Sequence, residues 1–302
     1  MIAKISNFPV RINLLIALFA VFPLAHGEMR RVWEVQLAKK IKEPSGWPQL
    51  KYHAVQSLAF SPDSKWLAAT IDDHQTKTTI ATHVFVVDVA APSGPIRQYD
   101  VEACGAPIQW APDGQAILVC TSVIKLPGGQ TCSIEPPATG PPMLPLLRGS
   151  HTITVWLDSR RIWRIGASGV SVLDEDCAMQ PPGRDDNSVA GAERRKMSPK
   201  WPPDGLKDYR IVNVSTTPAR VLAERWGDSL IAHFDIDPLP TVRQRVVWDI
   251  SERREIASWK PQEGHPYGQT MYLHPYQDCT LSPEGNLVAE GANGVLRLYR
   301  LN

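Results

Sequence analysis

The sequence has 302 residues with 32 basic and 31 acidic side chains, which gives a formal net charge of +1. This near-neutral balance supplies no overall field that would draw the chain onto nucleic acid or anionic membranes, so we predict no nucleic-acid partner. The 27 prolines and 10 tryptophans are typical of many short strands joined by tight turns. The composition therefore favours an all-β domain.

The first residues have the pattern of a secretory signal peptide. Lys4 and Arg11 accompany an apolar run from Ile12 to Ala25, and small residues at Ala25 and Gly27 fit a cleavage site. Because the run is shorter than the roughly 20 residues of a membrane-spanning helix, it favours a cleaved signal peptide over the alternative, an uncleaved membrane anchor. We predict a signal peptide over 1–27 and a mature chain over 28–302. We expect this chain to be exported to the periplasm or the extracellular space, with no stable membrane span after cleavage.

One turn sequence occurs in three copies. They are "LAFSPDSKWLAAT" at Leu58–Thr70, "IQWAPDGQAILVC" at Ile108–Cys120 and "CTLSPEGNLVAEG" at Cys279–Gly291. In each copy proline presets the second position of a type I turn, and the acid that follows bonds nearby amides through its short side chain. Short apolar segments flank each turn. Each copy therefore predicts a hairpin of two buried strands.

A third strand follows the hairpins at a roughly constant distance, as in "HVFVVDV", "GVSVLDED", "RVVWDIS" and "GVLRLYRL", and a more polar fourth strand such as "REIASWKP" comes after it. Four antiparallel strands per unit, repeated every 40 to 50 residues or so, are typical of propeller blades. "FSPDSKWLA" and "VVWDISERREIASW" resemble WD-repeat β-propellers and the exported bacterial propellers of the Tol-system type. Trp248-Asp249 reproduces the Trp-Asp dipeptide of the WD repeat. The resemblance implies the fold and transfers no functional residue.

The turn acids set the expected number of blades. Asp63, Asp113, Asp158, Asp228 and Glu284 mark five units. A polar, proline-rich tract near 177–205 is predicted to be an irregular insertion, although Pro203-Asp204-Gly205 is also compatible with the turn of a sixth blade. We therefore predict a single β-propeller domain of five to six four-stranded blades.

The two ends of the chain are predicted to complete one blade. "RRVWEVQLA" (Arg30–Ala38) stands alone before the first hairpin, whereas the chain ends in a third strand, "GVLRLYRLN". A ring closed by strands from both ends has no exposed sheet edge at that point. The expected ladder alternates Trp33, Val35 and Leu37 against Val295, Leu296 and Leu298.

The five cysteines are an odd number, so an oxidising compartment would leave at least one free thiol. Cys120 and Cys132 flank a glycine-containing loop and are a possible disulfide, while Cys104, Cys177 and Cys279 cannot be paired from the sequence. The alternative is that all five are reduced and buried. There is no CxxC motif and no Cys/His spacing of a zinc site, so we predict no metal site.

Polar residues offer few signals of chemistry. Asp72, Asp73 and His74 share one predicted loop and are compatible with a divalent-ion or acid/base site, or with a solvated hairpin connection. No HExxH, GxSxG, P-loop or GxGxxG motif is present, so we predict no cofactor and no catalytic residue. Asn213-Val214-Ser215 matches a glycosylation sequon.

Two tryptophans are candidates for partner contact. Most tryptophans occupy repeated strand positions, where they would fill the space between blades, but Trp47 and Trp201 lie in irregular tracts. Together with Asp72, Asp73 and His74 they are the predicted binding residues. We expect an exported, non-catalytic scaffold that binds a protein or envelope component through loops. The alternative is a propeller hydrolase or lyase with Asp72, Asp73, His74 and Asp235 at the mouth of the channel.

Overall fold

The structure is a computed structural model that describes residues 29–41, 55–75, 78–101, 108–119, 122–133, 153–156, 161–166, 169–174, 176–180, 204–227, 241–261, 278–292 and 294–302. Apart from short 3₁₀ helices at Ala38–Lys40 and Asp204–Leu206, the secondary structure of these residues is entirely β. Their 20 strands form five four-stranded antiparallel sheets. The all-β prediction is confirmed, and the arrangement is compatible with a propeller-like fold.

Three sheets are built from consecutive strands in the first part of the chain. Sheet 1 contains β2 (Val55–Phe60), β3 (Trp66–Gln75), β4 (Thr78–Asp88) and β5 (Arg97–Val101). Sheet 2 contains β6 (Gln109–Trp110), β7 (Ala116–Val119), β8 (Ser122–Lys125) and β9 (Thr131–Ser133). Sheet 3 contains β10 (Ile153–Trp156), β11 (Arg161–Gly166), β12 (Gly169–Asp174) and β13 (Met179–Gln180).

The remaining sheets follow the same plan, with one exchange. Sheet 4 contains β14 (Tyr209–Thr216), β15 (Ala219–Gly227), β16 (Thr241–Asp249) and β17 (Arg254–Trp259). Sheet 5 contains β18 (Cys279–Leu281), β19 (Leu287–Ala292), β20 (Val295–Arg300) and, as its fourth strand, β1 (Arg30–Gln36). The predicted pairing of the chain ends is confirmed, since Trp33 pairs with Leu298 and Val35 with Leu296. The backbone N–H of Leu37 extends the ladder by donating to the carbonyl of Gly294 at 2.9 Å.

The repeated turns have the geometry that their residues favour. In the first copy the Ser61 hydroxyl donates to Asp63 at 2.6 Å, and the backbone N–H of Ser64 donates to the carbonyl of Ser61 at 2.9 Å. The fourth turn residue is left-handed in all three copies, with φ of 58° at Ser64, 72° at Gly114 and 65° at Gly285. The three predicted hairpins are confirmed.

Two sequence assignments in the fourth unit are wrong. Asp228 was expected in the turn of the first hairpin, but β14 and β15 instead turn at Thr217-Pro218, with Thr216 paired to Ala219. The two-residue loop between strongly β-forming segments sets this register without any acid. Asp204–Leu206 is a 3₁₀ helix rather than the hairpin turn of a sixth blade. It packs on sheet 4, because Gly205 lies so close to the Trp248 ring that a Cβ there would be 2.5 Å from it.

The predicted insertion near 177–205 is shorter than its assigned bounds. Met179–Gln180 forms β13 and pairs with Val172 and Leu173, so the start of the tract belongs to sheet 3. Its end belongs to the 3₁₀ helix described above. Residues 181–203 lie outside the described residues.

The hydrophobic core is divided among the seams between neighbouring sheets. Leu58, Leu67 and Phe85 of sheet 1 pack with Leu296 and Leu298 of sheet 5. Further clusters join sheet 1 to sheet 2, sheet 2 to sheet 3 and sheet 4 to sheet 5. The first strands also contact one another across seams: β2 contacts β6, β6 contacts β10, β18 contacts β2 and β14 contacts β18. The sheets therefore form a series in the order 4, 5, 1, 2, 3.

Candidate functional site

The strand order places two kinds of connection at one end of every sheet. Each sheet is an antiparallel meander. Its first and third strands therefore begin, and its second and fourth strands end, at the same end of the sheet. The connections from second to third strand, and from the fourth strand to the next sheet, therefore leave from this end, which we call the connection face. The opposite end, which carries the repeated turns, is the turn face.

Contacts across the seams show that neighbouring sheets have the same orientation. Between sheets 1 and 2, the Ser57 hydroxyl accepts from the backbone N–H of Ile108, and the Ala59 carbonyl accepts from Trp110 Nε1, both at 2.9 Å. The first strands of these sheets thus run side by side in the same direction. Between sheets 2 and 3, Lys125 Nζ lies 2.5 Å from Asp176 at their turn ends.

The seams of sheet 5 have the same polarity. Toward sheet 1, Gly291 lies against Val55 at the connection end, and Trp33 Nε1 donates to the Val89 carbonyl at the turn end at 2.9 Å. Toward sheet 4, Asn213 contacts Leu281 of β18, while Arg220 donates to the Gly285 carbonyl at the turn end at 2.7 Å. The connection face is therefore common to the whole series of sheets.

The predicted binding residues map to this face by their position in the chain. Asp72, Asp73 and His74 occupy the last part of β3, which ends at the connection face. The prediction that they form a loop is wrong, because they are paired with Thr82, Ala81 and Thr79 in an extended hairpin. Cross-strand hydrogen bonding satisfies the backbone of this polar segment, which overrides its weak strand propensity. Their side chains lie outside the described part of the molecule.

The other predicted site residues fall between the described ranges. Trp47 lies between β1 and β2 and Trp201 lies between β13 and β14, both in connections that leave from the connection face. Asp235, a candidate of the enzyme hypothesis, lies between β15 and β16. All three are outside the described residues, so their roles stay predictions.

A group of charged side chains, most of them buried, lies at the connection end of the seam between sheets 4 and 5. We call it the Arg245 cluster and define it by Arg210, Glu224, Arg245, Asp278 and Glu290. Arg245 is 1% exposed, and its guanidinium contacts three carboxylates. The distances are 3.0 Å from Nε to Glu224, 2.6 Å from Nη1 to Glu290 and 2.5 Å from Nη2 to Asp278. Because Glu290 lies on β19 and Asp278 directly precedes β18, the Arg245 side chain connects sheet 4 to sheet 5.

Two further groups complete the cluster. Arg210 Nη2 contacts the second oxygen of Glu224 at 3.0 Å, and Trp259 Nε1 donates to Glu290 at 3.2 Å. The contacts of Glu224 with Arg210 and Arg245 follow from register, since Arg210 is opposite Glu224 and Glu224 is opposite Arg245. Trp259 lies opposite Arg245, so the four strands of sheet 4 carry one transverse row of polar side chains.

Sheet 5 carries a matching row. Cys279 is opposite Glu290, Glu290 is opposite Arg297 and Arg297 is opposite Glu34, whose carboxylate lies 3.0 Å from Arg297 Nε. The corresponding row of sheet 1, counted from the repeated turn, is apolar and contains Leu58, Ala69 and Phe85. The repeat therefore does not require charge at this position. The charges are a local property of the seam between sheets 4 and 5.

The electrostatics of the cluster depend on its excess of acid. Burial opposes the charged form of Arg245, but Asp278, Glu224 and Glu290 outweigh it and raise the pKa of the guanidinium. For Asp278, burial raises the pKa, Arg245 lowers it, and Glu224 and Glu290 raise it, which together bring the pKa of this carboxyl to about 6. Burial raises the pKa of the neighbouring Cys279 thiol well above its usual value. The raised pKa means that Asp278 accepts a proton more readily than an ordinary aspartate does.

Sequence reasoning missed this cluster, although a signal was present. Glu224 interrupts the apolar segment "VLAERW" and Glu290 interrupts "LVAEGA". A single charge inside a buried strand requires a partner, because an unpaired buried charge is very costly. The pattern could have indicated buried ion pairs, but it could not have paired them.

The cysteine prediction requires correction. Cys132 is bonded to Cys177, with a Cα–Cα distance of 6.0 Å, and not to Cys120. Cys132 lies on the outer strand β9, and Cys177 precedes β13, so the bond joins sheet 2 to sheet 3. Both cysteines contact the apolar cluster of that seam. Cys279 is a buried free thiol within the described chain.

The sequon asparagine is fully engaged. Asn213 Nδ2 donates to Thr280 Oγ1 at 3.0 Å and to the Leu281 carbonyl at 2.9 Å, and its Oδ1 accepts from the backbone N–H of Leu281 at 3.1 Å. This side chain fastens β14 to β18. A glycan on Nδ2 would break these bonds, so Asn213 acts as a tie between sheets 4 and 5.

The described ranges contain no group of three or more His, Cys, Asp or Glu side chains arranged to hold a metal ion. They also contain no helix with the length and apolar character needed to cross a membrane.

In comparisons with known proteins, no family model matches the chain. No curated protein matches it either.

Proposed function

We propose that this chain is an exported, non-catalytic β-propeller of five blades that binds a protein or cell-envelope component through its connection face. The observation that carries the proposal is that the long connections all leave from one end of the sheets. They are residues 42–54, 134–152, 181–203, 228–240 and 262–277. The turn face, in contrast, has short turns such as Ser61–Ser64 and Thr217-Pro218. Binding residues concentrate on loops that a rigid scaffold holds in place.

The propeller architecture is supported by the series of sheets. Five sheets in the order 4, 5, 1, 2, 3 contact one another through their first strands, as in a ring of blades. Closure then requires sheet 3 to meet sheet 4. The pairing of β1 with β20 supports such closure, because it fixes the end of the chain to its beginning within one blade.

Export is supported by two independent features. The first is the basic and apolar pattern of residues 1–27. The second is the Cys132–Cys177 bond, since disulfides persist mainly in oxidising compartments. N-terminal sequencing of the protein recovered from the cell envelope should begin at Glu28. A chain that retains Met1 and remains in the cytoplasm would contradict the proposal of export.

Site-specific photo-cross-linking tests the binding face. A photoreactive amino acid is placed at position 47, 72 or 201 for the connection face, and at position 65, 113 or 284 for the turn face. We expect the three connection-face positions to cross-link to the same envelope protein, and the turn-face positions to give no such product. Cross-links from the turn face alone, or equal cross-links from both faces, would refute the assignment.

A loop replacement provides the matched test of one tract. Residues 183–201 are exchanged for a short Gly-Ser linker, which retains Cys177, β13 and the 3₁₀ helix at Asp204–Leu206. We expect this variant to fold, and we expect the yield of the cross-linked product from position 47 to be lower than in the unmodified chain. An unchanged yield would show that the tract containing Trp201 does not contribute to binding.

A further inference from the structure

We propose that the Arg245 cluster is a proton-dependent junction between sheets 4 and 5. Asp278 takes up one proton between neutral and mildly acidic conditions, and the protonated junction is the more stable form. This proton uptake is a property of the chain alone and does not depend on whether the connection face binds a partner.

The charges of the cluster do not balance when every carboxyl group is ionised. Glu224, Asp278 and Glu290 supply three negative charges, whereas Arg210 and Arg245 supply two positive charges. Protonation of one carboxyl restores neutrality. In a buried group of charges, an unbalanced charge is the most costly one to maintain.

Geometry selects Asp278 as the carboxyl that takes the proton. The Glu224 carboxylate accepts hydrogen bonds from Arg210 and Arg245. The Glu290 carboxylate accepts hydrogen bonds from Arg245 and Trp259 Nε1. Among the described side chains, Arg245 alone donates to the Asp278 carboxylate. It is also the accessible member, since its side chain is 22% exposed whereas those of Glu224 and Glu290 are 2% exposed. A proton from solvent can therefore reach Asp278 at the connection face.

Among the described residues, several charged or titratable groups surround Asp278, and Arg297 on β20, which lies opposite Glu290, is itself paired with Glu34. Arg245 on β16 favours the charged form of Asp278, and Glu224 on β15 and Glu290 on β19 oppose it. The neighbouring Cys279 carries a neutral thiol, since burial raises its pKa. Arg210 on β14 acts through Glu224. Burial and the two carboxylates together outweigh the one direct guanidinium contact, so the surroundings raise the pKa of Asp278 above that of an ordinary aspartate.

The direction of the effect on stability follows from linkage. Asp278 has a raised pKa of about 6 in the folded chain, against the ordinary aspartate value of 3.8. A group that binds its proton more tightly when folded stabilises the fold below its unfolded pKa, and this stabilisation is lost as pH rises through the folded pKa. The window therefore lies between about pH 4 and pH 7. An exported protein meets such a range directly, because its surroundings are not buffered by the cytoplasm.

The test compares the mature wild-type chain with Asp278→Asn, which preserves shape but cannot titrate. We expect the Tm of the wild type, measured relative to the variant, to rise by about 2–4 °C when pH falls from 7 to 5. The comparison cancels the contributions of histidines and other groups common to both proteins. Glu284→Gln, at an exposed position of the turn face, is the matched control and should follow the wild type at both pH values.

A second readout keeps the proposal testable if Asp278→Asn does not fold. In wild-type protein labelled at aspartate carboxyl carbons, the Asp278 resonance, assigned through the backbone, should titrate with a midpoint near pH 6. A midpoint below about 4.5, close to that of an ordinary aspartate, would overturn the proposal. The proposal would also be overturned if the Tm of the wild type, measured relative to Asp278→Asn, fell when pH falls from 7 to 5. That result would identify Asp278 as a simple stabilising partner of Arg245.

Discussion

Trp33 lies opposite Leu298, so a strand from the beginning of the chain forms the outer edge of the sheet in which the chain ends. The same tryptophan donates its indole N–H to the Val89 carbonyl of sheet 1 at 2.9 Å. Trp33, near the beginning of the chain, thus joins the last strand of the chain to the neighbouring sheet. The stability of the seam between sheets 5 and 1 should depend strongly on it.

Trp33→Ala should destabilise the protein by about 2–4 kcal/mol, since it removes a large, partly buried side chain and an inter-sheet hydrogen bond. Val32→Ala is the control, because Val32 is the adjacent residue and is 46% exposed. It should change the free energy of unfolding by less than about 0.5 kcal/mol. Urea denaturation measures both. Equal midpoints would show that β1 does not support the seam.

Gly291→Ala should be destabilising because a Cβ at this position would lie 2.4 Å from Val55 Cγ1 across the same seam. We expect a cost of about 1–3 kcal/mol from overpacking. Combining it with Val55→Ala removes the Cγ1 and Cγ2 contacts and leaves only the Val55 Cβ, 2.5 Å from the new methyl group, so the double variant should be more stable than the sum of the single effects predicts. Gly128→Ala, which meets only the flexible Gln130 side chain at 3.3 Å, is the control. Strict additivity in denaturation experiments would rule out the close contact.

Arg245→Met should cost about 3–5 kcal/mol at pH 7, since it leaves buried carboxylates without their shared partner. The matched control is Arg254→Met. Arg254 has a 60% exposed side chain and, among the described residues, pairs only with Glu252 at the surface, so its loss should cost less than about 1 kcal/mol. Urea midpoints at pH 7 distinguish the two. A small effect at Arg245 would mean that water solvates Glu224 and Glu290.

Peptide mapping of the non-reduced protein should recover Cys132 linked to Cys177. Replacing both residues with serine should lower the free energy of unfolding by about 2–4 kcal/mol, because the bond closes a separation of 45 residues. Cys279 should react with a maleimide only after unfolding, since it is buried in the native protein. A peptide that links Cys120 to Cys132 would contradict this assignment.

Local patterns were sufficient to predict the three hairpins that contain the repeated turn. Pro62 and Asp63 specify their turn through backbone preset and short-range hydrogen bonds, so the neighbouring residues decide the conformation. Alternation in "RRVWEVQLA" likewise predicted the ladder between β1 and β20, because a strand with one apolar face has only one useful register. Asp72 to His74 were misassigned because a polar composition does not reveal backbone pairing with a partner strand.

What the sequence by itself determined is therefore the all-β class, the repeated turn and the pairing of the chain ends. Only the tertiary structure decided which distant residues meet at the seams. Glu224, Arg245 and Glu290 are separate charges along the chain and become one ion network where sheet 4 packs on sheet 5. Cys132 found Cys177 in the same way, across the seam of sheets 2 and 3. Turns depend on bonds between neighbouring residues, whereas a buried charge or thiol depends on what packing places beside it.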